Sequence, residues 1–292
     1  MTTPSGTFTS PVDQSDLATY AWGTDNANPR GIVQIAHGLG EHSSRYARLA
    51  DALTAAGYVV GAIDHRGHGA SIADGGVPGD FGAAGWDGLV ADLVAFGASL
   101  REQHPGLPMF LIAHSMGSMA AQSAILDHGD GYAGVVLSGS TAIDVLAANM
   151  ASSPEPAGLE AFNEGFEHRT GYEWLSRDEA EVDAYVADPL CGFPVPDSTM
   201  PQLFSHAGRV GDPEALRSIR PDLPILIISG DADPLAGGGQ LIELLGQRYR
   251  DAGVRDVTVR LYPQARHEVF NETNRDEVVG DVLDWLGAHT SA

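Results

Sequence analysis

Short apolar runs alternate with longer stretches of helical period along most of this chain, and that alternation leaves few folds open. The runs are Gly31–Ala36, Tyr58–Asp64, Met109–Ala113, Gly134–Ser138, Ile225–Ser229 and Val257–Tyr262. Between and after them stand helical patterns over Arg45–Ala56, Trp86–His104, Ser115–Asp127, Gln240–Ala252 and Arg275–His289. Strands that read as nearly unbroken apolar runs are buried on both faces, which predicts a mostly parallel sheet flanked by helices, joined by right-handed crossovers. Leu17–Trp22 is a further strand candidate, placed as an antiparallel edge.

The rhythm stops after Ser138. From Thr141 to Pro221 no clear strand appears, and prolines recur at 154, 156, 189, 194, 196, 201 and 213. A structureless loop of that length does not fit inside a compact domain. The segment therefore reads as a helical insertion, with helices expected over Glu155–Arg169, Asp178–Ala187 and Met200–Gly208. This divides the chain into a first core part (1–140), a helical cap (141–221) and a second core part (222–292).

Composition narrows the function. With 43% hydrophobic and 19% charged residues the chain is globular in character. Its 16 basic residues are all arginine and face 39 acidic ones, for a net charge of −23. Such a balance argues against a nucleic-acid partner and against docking on anionic lipid. The lack of lysine fits codon bias, and a salt-adapted surface fits it too. The single cysteine, Cys191, cannot form an intrachain disulfide. No run is long and apolar enough for a membrane span, and the first sixteen residues lack the basic and apolar regions of a signal peptide. The expected location is cytoplasmic, without integral membrane association.

Four strand ends carry the chemistry. Ala113-His114-Ser115-Met116-Gly117 follows one apolar run and opens a helical pattern. A serine on so sharp a strand-to-helix turn needs small neighbours two places either side, and becomes an exposed nucleophile. A buried serine at a helix cap would look similar. His37-Gly38-Leu39-Gly40 ends another run, where glycines can turn backbone N–H groups toward a developing oxyanion; an ordinary glycine-rich turn fits as well. In Gly230-Asp231-Ala232-Asp233-Pro234, Asp233 is the candidate carboxylate because it clears the strand end, while Asp231 suits a local turn. Ala265-Arg266-His267-Glu268 places a histidine after the last strand. The order Ser115, Asp233, His267 is the chain order of α/β-hydrolase triads. Asp64, His65 and His68 resemble metal ligands at first sight, but their glycine spacing reads as a hydrogen-bonded turn.

These stretches resemble the monoacylglycerol lipase and lysophospholipase-like branch of the α/β-hydrolase superfamily, grouped with serine aminopeptidase-like hydrolases. The likeness rests on His37-Gly38-Leu39-Gly40-Glu41-His42 with Arg45-Tyr46, on Asp64-His65-Arg66-Gly67-His68-Gly69-Ala70-Ser71, and on Pro105-Gly106-Leu107-Pro108 leading into His114-Ser115-Met116-Gly117. It continues at Leu175-Ser176-Arg177, Asp188-Pro189-Leu190 and His267-Glu268-Val269-Phe270-Asn271-Glu272. Ala113 and Ser118 depart from the usual glycines. The resemblance implies the α/β-hydrolase fold with its cap inserted after the sixth strand. It also implies a catalytic triad of Ser115, Asp233 and His267, and an oxyanion hole from the backbone N–H groups of Leu39 and Met116. The implied substrate is a small-molecule single-chain acyl ester such as a monoacylglycerol, with no metal and no organic cofactor. Phe162, Phe166, Trp174, Leu175, Phe193 and Phe204 are candidate pocket walls.

Other readings stay open at this stage: a short-chain carboxylesterase or lysophospholipase, an amidase or aminopeptidase using cap carboxylates such as Glu160, Glu164 and Glu167, and a non-catalytic binding protein on the same fold. Acyl chain length, head group and oligomeric state are not written in the sequence.

Overall fold

The computed structural model describes residues 2–151 and 159–290. Its centre is one eight-stranded sheet: β1 (Gly6–Thr9), β2 (Asp16–Trp22), β3 (Gly31–Ala36), β4 (Tyr58–Ile63), β5 (Met109–His114), β6 (Gly134–Ser138), β7 (Ile225–Gly230) and β8 (Val257–Tyr262). They lie in the order β1-β2-β4-β3-β5-β6-β7-β8. Strands β3 to β8 run parallel, and β2 joins β4 antiparallel, as does β1 its neighbour β2. All predicted strands form, and β1 is an addition: four residues, GTFT, mostly exposed at the sheet edge.

The apolar runs are unbroken because the two faces of the sheet divide them. Ile32, Val59, Leu111, Val135 and Ile227 point into one cluster with α2 (Gly85–Gln103), α3 (Met116–His128) and α9 (Gln240–Asp251). Their chain neighbours Val33, Val60, Ile112, Val136 and Ile228 point into the other, against α1 (Ala47–Ala55) and α10 (Arg275–His289). Successive side chains of a strand face opposite ways, so a strand covered on both sides is apolar at most positions, and a polar exception such as Gln34 finds a buried partner, the Leu93 carbonyl. Edge strand β8 is only partly buried and carries Thr258 and Arg260 among its apolar residues.

Between β6 and β7 the chain forms α4 (Ile143–Ala151), α5 (Glu179–Ala187), α6 (Thr199–Leu203), α7 (Ala207–Gly211) and α8 (Pro213–Leu216). The helix expected over Glu155–Arg169 does not form in its described part, and residues 155–158 lie outside the described residues. Leu159–Asn163 is a single 3-10 turn. Gly165 then takes φ 91°, and the Asn163 amide donates to the Glu167 carbonyl, which closes an irregular loop instead of a helix. The expected Met200–Gly208 helix is split into α6, a 3-10 turn at Phe204–His206, and α7.

Arginine–carboxylate pairs tie this segment to the core. Arg248 on α9 grips Asp144 on α4 through two bonds of 2.6 and 3.0 Å. Arg177 meets the fully buried Glu272 at 2.8 Å, and Arg275 meets Asp178 at 2.7 Å. Planar guanidinium groups suit such paired contacts with carboxylates, which gives the all-arginine cation set a structural use.

Candidate active site

Parallel strands deliver their carboxyl ends to one edge of the sheet, and all four motif loops emerge there, after β3, β5, β7 and β8. Ser115 stands alone between β5 and α3 with φ 50° and ψ −120°. A non-glycine residue in that region carries strain of about 1–3 kcal/mol, and persists only when its surroundings enforce it. Here the Ser115 N–H donates to the Ser138 carbonyl at 2.9 Å, and its own carbonyl accepts from Met119 N–H at 3.0 Å and Ser118 Oγ at 2.6 Å. The need for a small residue after the serine is concrete. A Cβ on Gly117 would lie 2.5 Å from the Ala36 carbonyl oxygen and 2.7 Å from that of His37. Ala113 is fully buried between Ala36 and Leu137, so alanine fits where the usual residue is glycine.

His267 and Asp233 meet directly, with Nδ1 of the ring 2.9 Å from Oδ2 of the carboxylate, both almost fully buried. The carboxylate is held in turn by Ser229 Oγ at 3.1 Å and by the Leu235 N–H at 2.9 Å. Burial disfavours a charged imidazole, but the charge and hydrogen bond of Asp233 outweigh it and raise the His267 pKa above its ordinary value. The His114 and Trp174 rings flank the imidazole, with centroids 4.7 and 4.8 Å away. Asp231 is exposed and accepts the Gln264 N–H, a local turn contact.

Ser115 and His267 line the same small pocket with Gly38, Leu39, Trp174, Leu175 and Glu268, and no hydrogen bond joins the two side chains. Catalytic hydrogen bonds in ligand-free enzymes are commonly open in this way. The N–H groups of Leu39 and Met116 donate to no described residue. The Met116 N–H also opens α3, where the helix dipole favours negative charge.

A second hollow adjoins the first. Leu39, Ser115, Met119, Leu146, Leu159, Phe162, Trp174, Met200, Leu203 and Phe204 surround a narrow, mostly apolar hollow of ≈ 30 Å³. Of the aromatic walls expected from the sequence, Phe162, Trp174 and Phe204 reach it and Leu175 lines the mouth. Phe166 lies under the Arg266 guanidinium instead, and Phe193 packs on His68. A larger hollow of ≈ 240 Å³ opens near the start of β5, among Arg101, Asp127, His128 and Tyr132, and no serine, threonine or cysteine lines it.

Several residues quoted above in the resemblance acquire partners here. Arg45 sits between two buried carboxylates, 2.6 Å from Glu41 Oε2 and 2.6 and 2.7 Å from the oxygens of Glu268. Glu41 Oε1 accepts the Gly38 N–H at 2.6 Å and the Tyr46 hydroxyl at 2.7 Å. One arginine thus links the loop bearing Leu39 to the residue after His267. The Asp64 carboxylate accepts from Ser43 N–H, Ala70 N–H and Tyr20 Oη, so it organises the turn that carries His65 and His68.

The family model described as "Serine aminopeptidase, S33" matches residues 27–274. The chain belongs to that family. This S33-family member is 31% identical to the monoacylglycerol lipase of Mycolicibacterium smegmatis, over 91% of each chain. It is 30% identical to the human monoglyceride lipase, over 90% of this chain and 84% of that one. Among solved structures, a thermostable carboxyl esterase from Bacillus coagulans in complex with glycerol superposes with a TM-score of 0.84 at 29% identity, covering 98% of both chains. The Paleococcus ferrophilus monoacylglycerol lipase superposes at 0.69 with 26% identity, over 94% of this chain and 99% of that one. The S33-family chain has the α/β-hydrolase fold and is a serine ester hydrolase. Among the described residues no helix is long and apolar enough to cross a membrane.

Proposed function

We propose that the enzyme hydrolyses single-chain acyl esters, monoacylglycerols foremost, through a Ser115–His267–Asp233 triad and an acyl-enzyme. The observation that carries this reading is the mostly apolar hollow that Ser115 lines together with Leu146, Phe162, Met200 and Phe204 of the segment between β6 and β7. It offers an acyl chain a dry wall and offers a carbonyl at its mouth the serine oxygen.

In this mechanism His267 takes the Ser115 proton through Nε2 as the oxygen attacks the ester carbonyl, while Asp233 fixes the ring through Nδ1 and balances its charge. The tetrahedral oxyanion is received by the N–H groups of Leu39 and Met116, each such donor contributing about 3–4 kcal/mol to the transition state. His267 returns the proton to the leaving alcohol, then activates a water that frees the acid and regenerates Ser115. Each of these steps uses protein groups and water. The segment 141–221 acts as the cap, closing the acyl hollow.

An aminopeptidase would need an unpaired carboxylate near Ser115 to hold the substrate amine. Glu41 and Glu268 line the mouth, but Arg45 already pairs with both, and Glu164 and Glu167 are exposed on the outside of the loop. These facts favour the ester over the peptide. The test is hydrolysis of p-nitrophenyl esters from two to sixteen carbons, beside a monoacylglycerol, a lysophospholipid and an aminoacyl amide, by wild type and Ser115→Ala. Ser115-dependent turnover that rises with chain length and includes the monoacylglycerol supports the proposal. Turnover of the amide alone, or activity retained in Ser115→Ala, overturns it.

A further inference from the structure

Away from the reacting groups, His42, Asp188 and Cys191 converge where the loop after β3 touches the segment after α5. Their donor atoms all lie within 4.8 Å of one another. His42 and Cys191 are buried, and Asp188 is partly open, so the cluster has a route to solvent. We propose that this cluster is a binding site for a borderline-soft divalent cation of the zinc type, held by His42 Nε2, an Asp188 oxygen and Cys191 Sγ, with a fourth position left to water.

Donor chemistry and geometry both carry the proposal. One imidazole, one carboxylate and one thiolate form a nitrogen, oxygen and sulfur set that suits zinc and not magnesium or calcium. Tetrahedral zinc, with bonds of about 2.0–2.1 Å to nitrogen and oxygen and 2.3 Å to sulfur, separates its donors by roughly 3.3–3.6 Å. His42 Nε2 and Asp188 Oδ2 stand 2.9 Å apart, and with all donors within 4.8 Å the sulfur has at most about 1.5 Å to travel. The outer contacts point the same way. Ser44 Oγ lies 3.0 Å from His42 Nδ1, so it can accept an Nδ1–H and thereby free the Nε2 lone pair for a metal in place of the Nε2–H that meets Asp188. Asp188 Oδ1 accepts the Leu190 N–H at 2.9 Å, which orients the carboxylate and leaves Oδ2 available.

The surrounding charge also suits a cation. Asp188 brings a carboxylate to the cluster, and the guanidinium of Arg45 nearby is already engaged by Glu41 and Glu268. Binding would break the S–H bond, form the sulfur–metal bond and send that proton to water, while the Nε2 proton that His42 shares with Asp188 moves by way of water to Nδ1, where Ser44 Oγ accepts it, and Nε2 and the carboxylate each bond the metal. Since Gly192 N–H already donates to the Gly40 carbonyl at 3.0 Å, the ion would staple the segment after α5 to the loop that carries Leu39.

The test is a titration of the full chain with Cd²⁺ or Co²⁺, reading the ultraviolet sulfur-to-metal charge-transfer band. Cys191 is the chain's only cysteine, so any such band reports this site and no other. The expected result is saturation at one equivalent, displacement by Zn²⁺, loss of the band in Cys191→Ser, and affinity roughly 10-fold or more weaker in Asp188→Asn and His42→Gln. Cys191→Ser keeps the His42–Asp188 pair, so it should fold like wild type, and either of the other two variants suffices if one is unstable. No band in the wild type, or a band of equal affinity in Asp188→Asn and His42→Gln, overturns the proposal and leaves an ion pair beside a buried thiol.

Discussion

Arg45→Met removes the one cation between Glu41 and Glu268 while keeping an unbranched chain in its place. Arg45 is 11% exposed, Glu41 3% and Glu268 6%, so neither carboxylate can turn to water for compensation. Deleting one partner of a buried ion pair costs about 3–5 kcal/mol, a large share of a total stability of roughly 5–15 kcal/mol. The Glu41 pKa gives a second route to the size. Burial pushes it up, yet Arg45 first, and then the His114 and His37 rings, hold it down at about 2 against an ordinary 4.5. At about 1.4 kcal/mol per pH unit this amounts to roughly 3 kcal/mol of stability, present above pH 4.5 and lost as the pH falls towards 2. In Arg45→Met burial prevails, and the Glu41 carboxyl moves above 4.5, so that acid now stabilises the variant by protonating it. Urea unfolding followed by tryptophan fluorescence at pH 8 and pH 5 measures both effects. The variant should lose about 3 kcal/mol or more relative to wild type at pH 8 and recover part of that loss at pH 5. A deficit under about 1 kcal/mol at pH 8, or one that does not shrink at pH 5, refutes the reasoning.

Other outcomes follow from the same geometry. In the proposed mechanism the neutral form of His267 is the base, and its pKa is raised above 6.5, so kcat/KM should fall as the pH drops through a midpoint above that value. Asp233→Asn should lower that midpoint and reduce kcat by about 10⁴, and a wild-type midpoint below about 6 in a pH–rate profile contradicts the assignment. Gly117→Ala drives a methyl group into two carbonyls of the loop before Leu39; it should cost about 1–3 kcal/mol in stability and roughly 100-fold in kcat, unless Tm and kcat both stay at wild-type values. Met200→Trp, in the half-buried wall of the apolar hollow, should slow long-chain esters by roughly 10-fold or more while sparing acetate, and equal loss across chain lengths counts against the acyl pocket.

The central strands were legible because each is buried on both faces, so a run such as Ile225–Ile228 is apolar at every position. β1 was not, since GTFT is four edge residues with little to bury. The helix misread over Glu155–Arg169 shows how Gly165 and the Asn163 amide can divert a chain whose apolar spacing suits a helix. Ser115, Asp233 and His267 stood out because strand ends are marked by glycine and proline, and the fold brings those ends to one edge. The partnership of Arg45 with Glu268 spans 223 residues and joins two motifs that carry no local sign of each other. His42 and Asp188 are hidden in the same way, 146 residues apart. Pairings of that kind come into view only when the sheet has been assembled.

The backbone at Ser115 has a consequence for how such a protein changes over generations. Glycine would occupy φ 50° and ψ −120° without steric penalty, releasing about 1–3 kcal/mol against the ~0.5–1 kcal/mol that its extra freedom in the unfolded chain takes away. Ser115→Gly should therefore melt at a higher temperature than wild type while hydrolysing nothing. Among variants screened for heat resistance alone, glycine at position 115 would spread, and under the proposed mechanism it is a demand for turnover that keeps the serine where the fold resists it.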